Sequence, residues 1–275
     1  MKKLFCERAA EGEFPTVMKD YLRRRGISVT LIKKAKYGGI HLNGTAVTVR
    51  ALVNRGDLIE IFADEGVSDG IPSMDIPLTV LYEDDDLLAV DKPTNMPTHP
   101  SKGNNLPTLA NGVMGYYGGN FTFRSVNRLD RDTSGIVIIA KNQFSAGMLS
   151  SSMKKGQWSK KYHALVSGIP SPKSGVIEAP IDRIKEGNLK RVVMASGKHA
   201  ITEYTVVEEY SDSCLCELRL LTGRTHQIRV HMAHIGHPLV SDYLYGTPSD
   251  KEYFLRCKEI SFPHPRSGEI ITIKA

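Results

Sequence analysis

The chain has 275 residues, 41% apolar and 24% charged, with a formal net charge of +6. That composition excludes a disordered polymer and leaves room for one large core or two domains. No apolar run approaches a membrane span, and Glu7 interrupts the start before a signal-peptide core could form, so a cytoplasmic protein is expected. The four cysteines form no metal or redox pair and read as buried, reduced thiols.

The positive charge is concentrated at one end. Up to Phe62 there are twelve Lys/Arg against six Asp/Glu, which accounts for the whole +6 and leaves the remainder neutral. A small basic module beside a larger neutral one implies a polyanion-binding appendage on a domain with another task.

The first predicted element is a helix over 16–25, with Val17, Tyr21 and Leu22 on one face, Arg23, Arg24 and Arg25 leaving it, and Gly26 as its stop. A second helix, over 29–36, is capped by Ser28; Leu31, Ile32 and Ala35 face inward, and Lys33, Lys34 and Lys36 face outward. Asn43-Gly44 marks a hairpin after Ile40-His41-Leu42, and Gly56-Asp57 opens a strand over 58–62. On charge alone the two basic helices could be a solvated face or an RNA surface. Their order, Tyr21-Leu22-Arg23-Arg24-Arg25-Gly26, Ile32-Lys33-Lys34-Ala35, Ile40-His41-Leu42-Asn43-Gly44 and Gly56-Asp57-Leu58-Ile59-Glu60-Ile61, resembles the αL-type RNA-binding domain first seen in ribosomal protein S-four. The resemblance implies an RNA-binding domain at 1–65.

Residues 63–75 are rich in Gly, Ser, Asp and Glu and lack periodicity, so 66–75 reads as an acidic linker that stays off RNA. A hairpin over 78–90 follows, with Asp84, Asp85 and Asp86 as solvated turn residues rather than metal ligands. Next comes Asn127-Arg128-Leu129-Asp130-Arg131-Asp132-Thr133-Ser134-Gly135, then the β-branched run 136–140, a buried strand. Asp130 therefore sits on an irregular segment held by a sheet. Between Arg128 and Arg131 it should stay ionised, as a surface ion pair or as a nucleophile or base. Strands over 162–166, 200–207 and 215–221 and helices over 143–155 and 225–235 complete a pattern without regular alternation, which favours an α+β fold.

The last helix, capped by Thr225 and closed by Gly236, places His226, Arg229 and Ala233 on one face and Ile228, Met232 and Ile235 on the next. Histidines 226, 231, 234 and 237 crowd there. No acidic residue lies between Arg219 and Asp242 to complete a zinc set, so they read as structural or RNA-facing, and a metal-dependent hydrolase is the weaker reading. No Walker A loop, dinucleotide fingerprint or nucleophile elbow occurs, so no cofactor is expected.

Three segments, Asn127–Gly135, Lys160-Lys161-Tyr162-His163-Ala164-Leu165-Val166-Ser167-Gly168 and Gly223-Arg224-Thr225-His226-Gln227-Ile228-Arg229-Val230-His231, look like the three motifs of the RluA-type RNA pseudouridine synthases. Val90-Asp91-Lys92-Pro93, His99-Pro100, Gly236-His237-Pro238 and His264-Pro265 agree. The resemblance implies a mainly antiparallel mixed-sheet catalytic domain at 76–275. It also implies isomerisation of uridine in RNA, most often large-subunit ribosomal RNA, with transfer RNA or a non-catalytic RNA-binding factor as alternatives.

In that family Asp130 would be the catalytic aspartate and Arg229 its ion-pair partner. Tyr162 would stack under the uracil and help remove the carbon-5 proton, and Ile228 would pack on the base. Arg128 would fill the gap left by a flipped nucleotide, and Lys160 and Lys161 would meet phosphates. Arg23, Arg24, Arg25, Lys33, Lys34 and Lys36 would bind RNA, and the protein would be a monomer. The sequence departs from the family with Asn127 for histidine, Asp91 for asparagine, Ser241 for glycine, and Arg256-Cys257 for His-Ala.

Overall fold

A computed structural model describes residues 1–101, 107–185 and 189–275. In the first part, β1 (Lys2–Arg8), β2 (Thr16–Val17), α1 (Met18–Arg24), α2 (Val29–Ala35), β3 (Ile40–Leu42), β4 (Thr45–Ala46), β5 (Leu52–Val53) and β6 (Leu58–Ala63) enclose a small core. Helix α1 starts two residues later than expected. Thr16 and Val17 pair with Val53 and Leu52 instead, so Val17 is exposed and Met18 is the buried residue. Ser28 caps α2, its Oγ accepting the Leu31 N–H at 3.2 Å. Asn43 and Gly44 take the two positive φ angles of a tight hairpin turn, 52° and 80°.

Strand β1 was not expected from the sequence. Its register shifts between Lys3 and Phe5, so the adjacent Leu4 and Phe5 are both buried and the period-two signal is erased.

The remainder comprises β7 (Thr79–Glu83), β8 (Leu87–Lys92), α3 (Leu109–Tyr116), β9 (Ser134–Ala140), α4 (Gln143–Lys154), β10 (Ser159–Ser167), β11 (Ser174–Glu178), β12 (Ile181–Arg183), β13 (Arg191–Val193), β14 (Ile201–Glu209), β15 (Ser213–Leu220), α5 (Gln227–His234), β16 (Leu255–Pro263) and β17 (Ile270–Lys274). One large sheet runs β11-β14-β15-β10-β16-β9-β8-β7, with β17 beside β16. Every pairing in it is antiparallel except β16 with β9, which holds two residue pairs, Arg256 with Ser134 and Cys257 with Gly135. This is the mainly antiparallel mixed sheet that the sequence implies. Gly135 is required at that junction: a Cβ there would lie 2.2 Å from the Cys257 carbonyl oxygen.

The acidic stretch after β6 does not hang free. The Glu65 carboxylate pairs with Arg124 at 2.5 Å and accepts the Gln143 N–H. Ser68 N–H donates to the Phe121 carbonyl, and Asn111 Nδ2 donates to Pro72 O. The segment is thus a strap bonded to the larger core. The two cores also meet directly: Phe144 of α4 packs in the small one, 5.8 Å from the Phe5 ring.

The aspartate turn after β7 is also less solvated than expected. Only Asp85 is exposed; Asp84 Oδ1 accepts the Asp86 and Leu87 N–H groups. Asp86 is buried against Arg266, Ser145 and Asn142. Among the cysteines, Cys214, Cys216 and Cys257 are buried, and Cys6 is exposed.

Candidate active site

The segment before β9 is held from three sides. Asn127 zips it to the strand, its Oδ1 accepting the Ile138 N–H at 2.8 Å and its Nδ2 donating to Ile136 O at 3.0 Å. Thr98 Oγ1 donates to Leu129 O at 2.8 Å. Lys92 is fully buried, and its ammonium donates to the carbonyls of Pro93, Met96 and Arg131 at 2.8, 2.7 and 3.1 Å. Burial pushes the Lys92 pKa down to about 8, although Asp132, Asp130 and Asp91 act against it. The family resemblance marked Lys92 only as part of a motif; its grip on the Asp130 loop has no sequence signature.

Asp130 is not pinned between its neighbouring arginines. Arg128 is exposed and makes no ion pair among the described residues, while Arg131 turns to Asp132 with bonds of 2.8 and 3.0 Å. The groups that face the Asp130 carboxylate come from the other end of the chain. Arg229 Nη1 lies 3.9 Å from Oδ2 and His226 Nε2 lies 3.7 Å from it, while the Asp130 side chain is 34% exposed.

Arg229 is therefore a looser partner of Asp130 than the family resemblance implied. Its short bonds, Nε to Oδ2 at 2.7 Å and Nη2 to Oδ1 at 2.6 Å, go to the buried Asp242. Burial opposes the Arg229 charge, but Asp242 outweighs it and raises the pKa. The rings of Tyr243, Tyr245 and Tyr253 surround the guanidinium at 5.2, 5.1 and 5.8 Å. Asp242 itself accepts the Leu244 and Tyr245 N–H groups on Oδ1. Ser241 before it has φ 54°, a left-handed conformation that favours glycine.

The start of α5 also differs from expectation. His226, not Thr225, is the N-cap residue, with φ 58° and no side-chain capping bond. The helix interior from Gln227 to Met232 is buried on all sides, so its faces do not divide as the spacing suggested. His231 is locked in the core by Thr202 Oγ1 and Ala179 O, both at 2.9 Å, and His237 bonds Ser167 O. The histidine cluster is thus dispersed, and only His226 meets Asp130 among the described residues.

Tyr162 on β10 is buried, with Cys257 of β16 as its cross-strand neighbour. Burial first, then Cys257 and Asp130, push its phenol well above the ordinary tyrosine pKa, which holds the hydroxyl neutral. Ile228 is buried in the same core.

Lys160 and Lys161 point to opposite faces of β10, so they do not form one phosphate clamp. The Lys160 amine lies on the Trp158 ring at 5.5 Å, and Lys161 pairs with Glu259 at 3.4 Å. Two residues singled out in the sequence meet in the structure: Arg256 Nη2 bonds Asp91 Oδ2 at 2.6 Å.

On the small unit, Arg23, Lys33 and Lys34 are exposed and unpaired among the described residues, and Lys36 lies over the Tyr37 ring. Arg24 bonds Thr16 Oγ1 at 2.9 Å. Arg25 is committed inward, with bonds of 3.0 and 2.8 Å to Glu7.

Comparison with known proteins matches residues 86–234 to the RNA pseudouridylate synthase family. The uncharacterised RNA pseudouridine synthase YjbO of Bacillus subtilis is 38% identical over 260 residues, covering 92% of each chain. The chain belongs to the RNA pseudouridylate synthase family. As an RNA pseudouridine synthase it is an isomerase that converts uridine in RNA to pseudouridine. The ribosomal large subunit pseudouridine synthase D of Haemophilus ducreyi is 34% identical, covering 86% of this chain and 78% of the relative. The solved structure of human RNA pseudouridylate synthase domain containing 1 superposes with a TM-score of 0.63 at 27% identity, over 74% of this synthase and 85% of that chain. No helix among the described residues is long and apolar enough to cross a membrane.

Proposed function

We propose that this synthase modifies large-subunit ribosomal RNA and that Asp130 is its catalytic carboxylate. The ribosomal target is supported by the relatives named large subunit pseudouridine synthase D, at 37% identity in Pasteurella multocida and 34% in Haemophilus ducreyi. The observation that carries Asp130 is its setting: a half-buried carboxylate on a braced turn, faced by a fully buried arginine that belongs to another carboxylate.

The chemistry breaks the C1′–N1 bond, turns the uracil and joins C1′ to carbon 5. Carbon 5 loses a proton and N1 gains one, so no redox partner is needed. Asp130 attacks C1′ or removes the 2′ proton, as a carboxylate does in sugar chemistry. Arg229 supplies a fixed positive charge beside it, and Ile228 and the neutral Tyr162 line the floor on which the base turns. Exposed Arg128 fills the stack when the nucleotide flips out, which costs a few kcal/mol that protein contacts must offset. Residues 1–65 act as the RNA-binding domain, through Arg23, Arg24, Lys33, Lys34 and Lys36, with Arg25 bracing it. Four free cysteines agree with work on RNA in the cytoplasm.

The test is a pseudouridine map of ribosomal and transfer RNA from cells with and without the gene, with purified protein added back. Loss of a site in large-subunit RNA, restored by wild type and not by Asp130→Ala, is expected. A site lost only from transfer RNA would overturn the target, and restoration by Asp130→Ala would overturn the role of the carboxylate.

A further inference from the structure

Two side chains reach the Asp130 carboxylate from the start of α5, and both end on the same oxygen. His226 Nε2 lies 3.7 Å from Oδ2 and Arg229 Nη1 3.9 Å from it.

The other imidazole nitrogen decides where His226 carries its proton. Nδ1 is 2.9 Å from the Tyr245 hydroxyl, whose oxygen already accepts the Arg191 backbone N–H at 2.8 Å. With that lone pair occupied the Tyr245 O–H is available to Nδ1, and the neutral tautomer that accepts it bears its single proton on Nε2, facing Asp130. At φ 58° His226 sits in a conformation that costs a β-carbon-bearing residue energy and persists where the surroundings enforce it. The Tyr245 ring meets the imidazole edge to face, centroids 5.8 Å apart.

Resting on the reading of Asp130 as the catalytic carboxylate, we propose that His226 is a positioning residue: its Nε2–H, aimed by Tyr245, ties down Oδ2 and so fixes the direction in which the carboxylate meets the nucleotide. The 3.7 Å separation closes to a hydrogen bond as substrate fills the site, a tightening common to active sites.

Protonation would undo this, because Nδ1–H would then confront the Tyr245 O–H and a second cation would sit beside Arg229. The groups facing the ring are Asp130 from the loop before β9, Arg229 from α5, Asp242 and Tyr245 from the segment after α5, and Arg191 at β13. Lys190 lies over the Tyr245 ring. Burial, with Arg229 and Arg191, pushes the imidazole below its ordinary 6.5 in spite of Asp130 and Asp242. The neutral form therefore holds at pH 7 and is lost only as pH falls below 6.5.

Large-subunit ribosomal RNA and transfer RNA, transcribed with uridine tritiated at carbon 5, read the reaction as tritium release. We expect His226→Ala to lower kcat about 100-fold with KM for RNA within about threefold. His226→Gln, whose amide N–H reaches the Nε2 position, should recover at least about tenfold of that, and Tyr245→Phe should fall between. The acid limb of the wild-type kcat profile should be missing from His226→Gln. If His226→Ala fails to fold by thermal unfolding, the glutamine and phenylalanine variants carry the comparison against wild type. A His226→Ala enzyme within about threefold of wild-type kcat, or a glutamine variant no better than alanine, overturns the positioning role while an inactive Asp130→Ala leaves the catalytic reading intact. An active Asp130→Ala, or a wild type silent on both RNAs, overturns both.

Discussion

Arg229 is bound to Asp242 by two short bonds, 2.7 and 2.6 Å, and approaches Asp130 only to 3.9 Å. The two aspartates therefore do different work on one cation. Asp242 keeps the guanidinium in place, and the charge that results faces Asp130. Asp242→Ala leaves a buried arginine without its partner, a loss on the order of 3–5 kcal/mol. Asp130→Ala removes a part-exposed group with no short bond, so unfolding free energy should stay within about 1 kcal/mol while activity is abolished. Urea unfolding and tritium release on both variants check the contrast.

Asp86 gives the fold a defined acid sensitivity. Burial alone would raise its pKa, but Arg266, Ser145 and Asn142 overcome that and hold it at about 2, against an ordinary 3.8. The folded state thus binds this proton more weakly than the unfolded chain. The contribution, on the order of 2 kcal/mol, is fully present above about pH 4 and is lost as pH falls toward 2. Wild type and Asp86→Asn should differ most at neutral pH and converge in acid, measured by urea unfolding across that window.

The basic residues of the small unit separate into two classes. Replacing Arg23, Lys33 and Lys34 with glutamine should leave stability unchanged and flatten the slope of log affinity against log salt by about 2, as expected for three phosphate contacts on single-stranded RNA. Arg25→Gln should instead lower stability, by about 1 kcal/mol, through its lost bonds to Glu7. Salt titration of RNA binding and thermal unfolding distinguish the two.

Asp91 and Arg256, two positions at which the resemblance implies asparagine and histidine, bond each other at 2.6 Å. Each single change strands a part-buried charge. A double-mutant cycle with Asp91→Asn and Arg256→His should return a coupling of about 1 kcal/mol by urea unfolding, the double variant being more stable than the sum of the singles.

Much of the framework was legible because local chemistry and fold agreed. Ser28, Asn43 and Gly44 announce a cap and a turn, and Ile136–Ala140 announce a buried strand. Helix α3 was invisible for the opposite reason. Its two glycines, Gly112 and Gly115, weaken the helical signal, yet a Cβ on Gly115 would lie 2.0 Å from the Met74 carbonyl oxygen, so the strap needs a glycine at that position. In the site, the motifs led to Asp130, Tyr162 and Arg229, but not to the exchange of partners among four charges. Arg131 prefers Asp132, and Arg229 prefers Asp242, because short bonds depend on where β9 and α5 end in space. Spacing along the chain does not carry that. His226 was grouped with three other histidines by proximity, whereas its role depends on a left-handed backbone angle and on Tyr245, nineteen residues away.

The strap and the shared Phe144 leave no slack between the two parts of the molecule. Modules on a loose tether search for their second contact, at an effective concentration set by linker length. Here that search has been removed in advance, since Arg266 also links Asp86 of one part to the Leu4 carbonyl of the other. If residues 1–65 bind RNA as proposed, a strand held there would meet Asp130 across a distance set by these contacts, and the protein would work as a gauge along RNA.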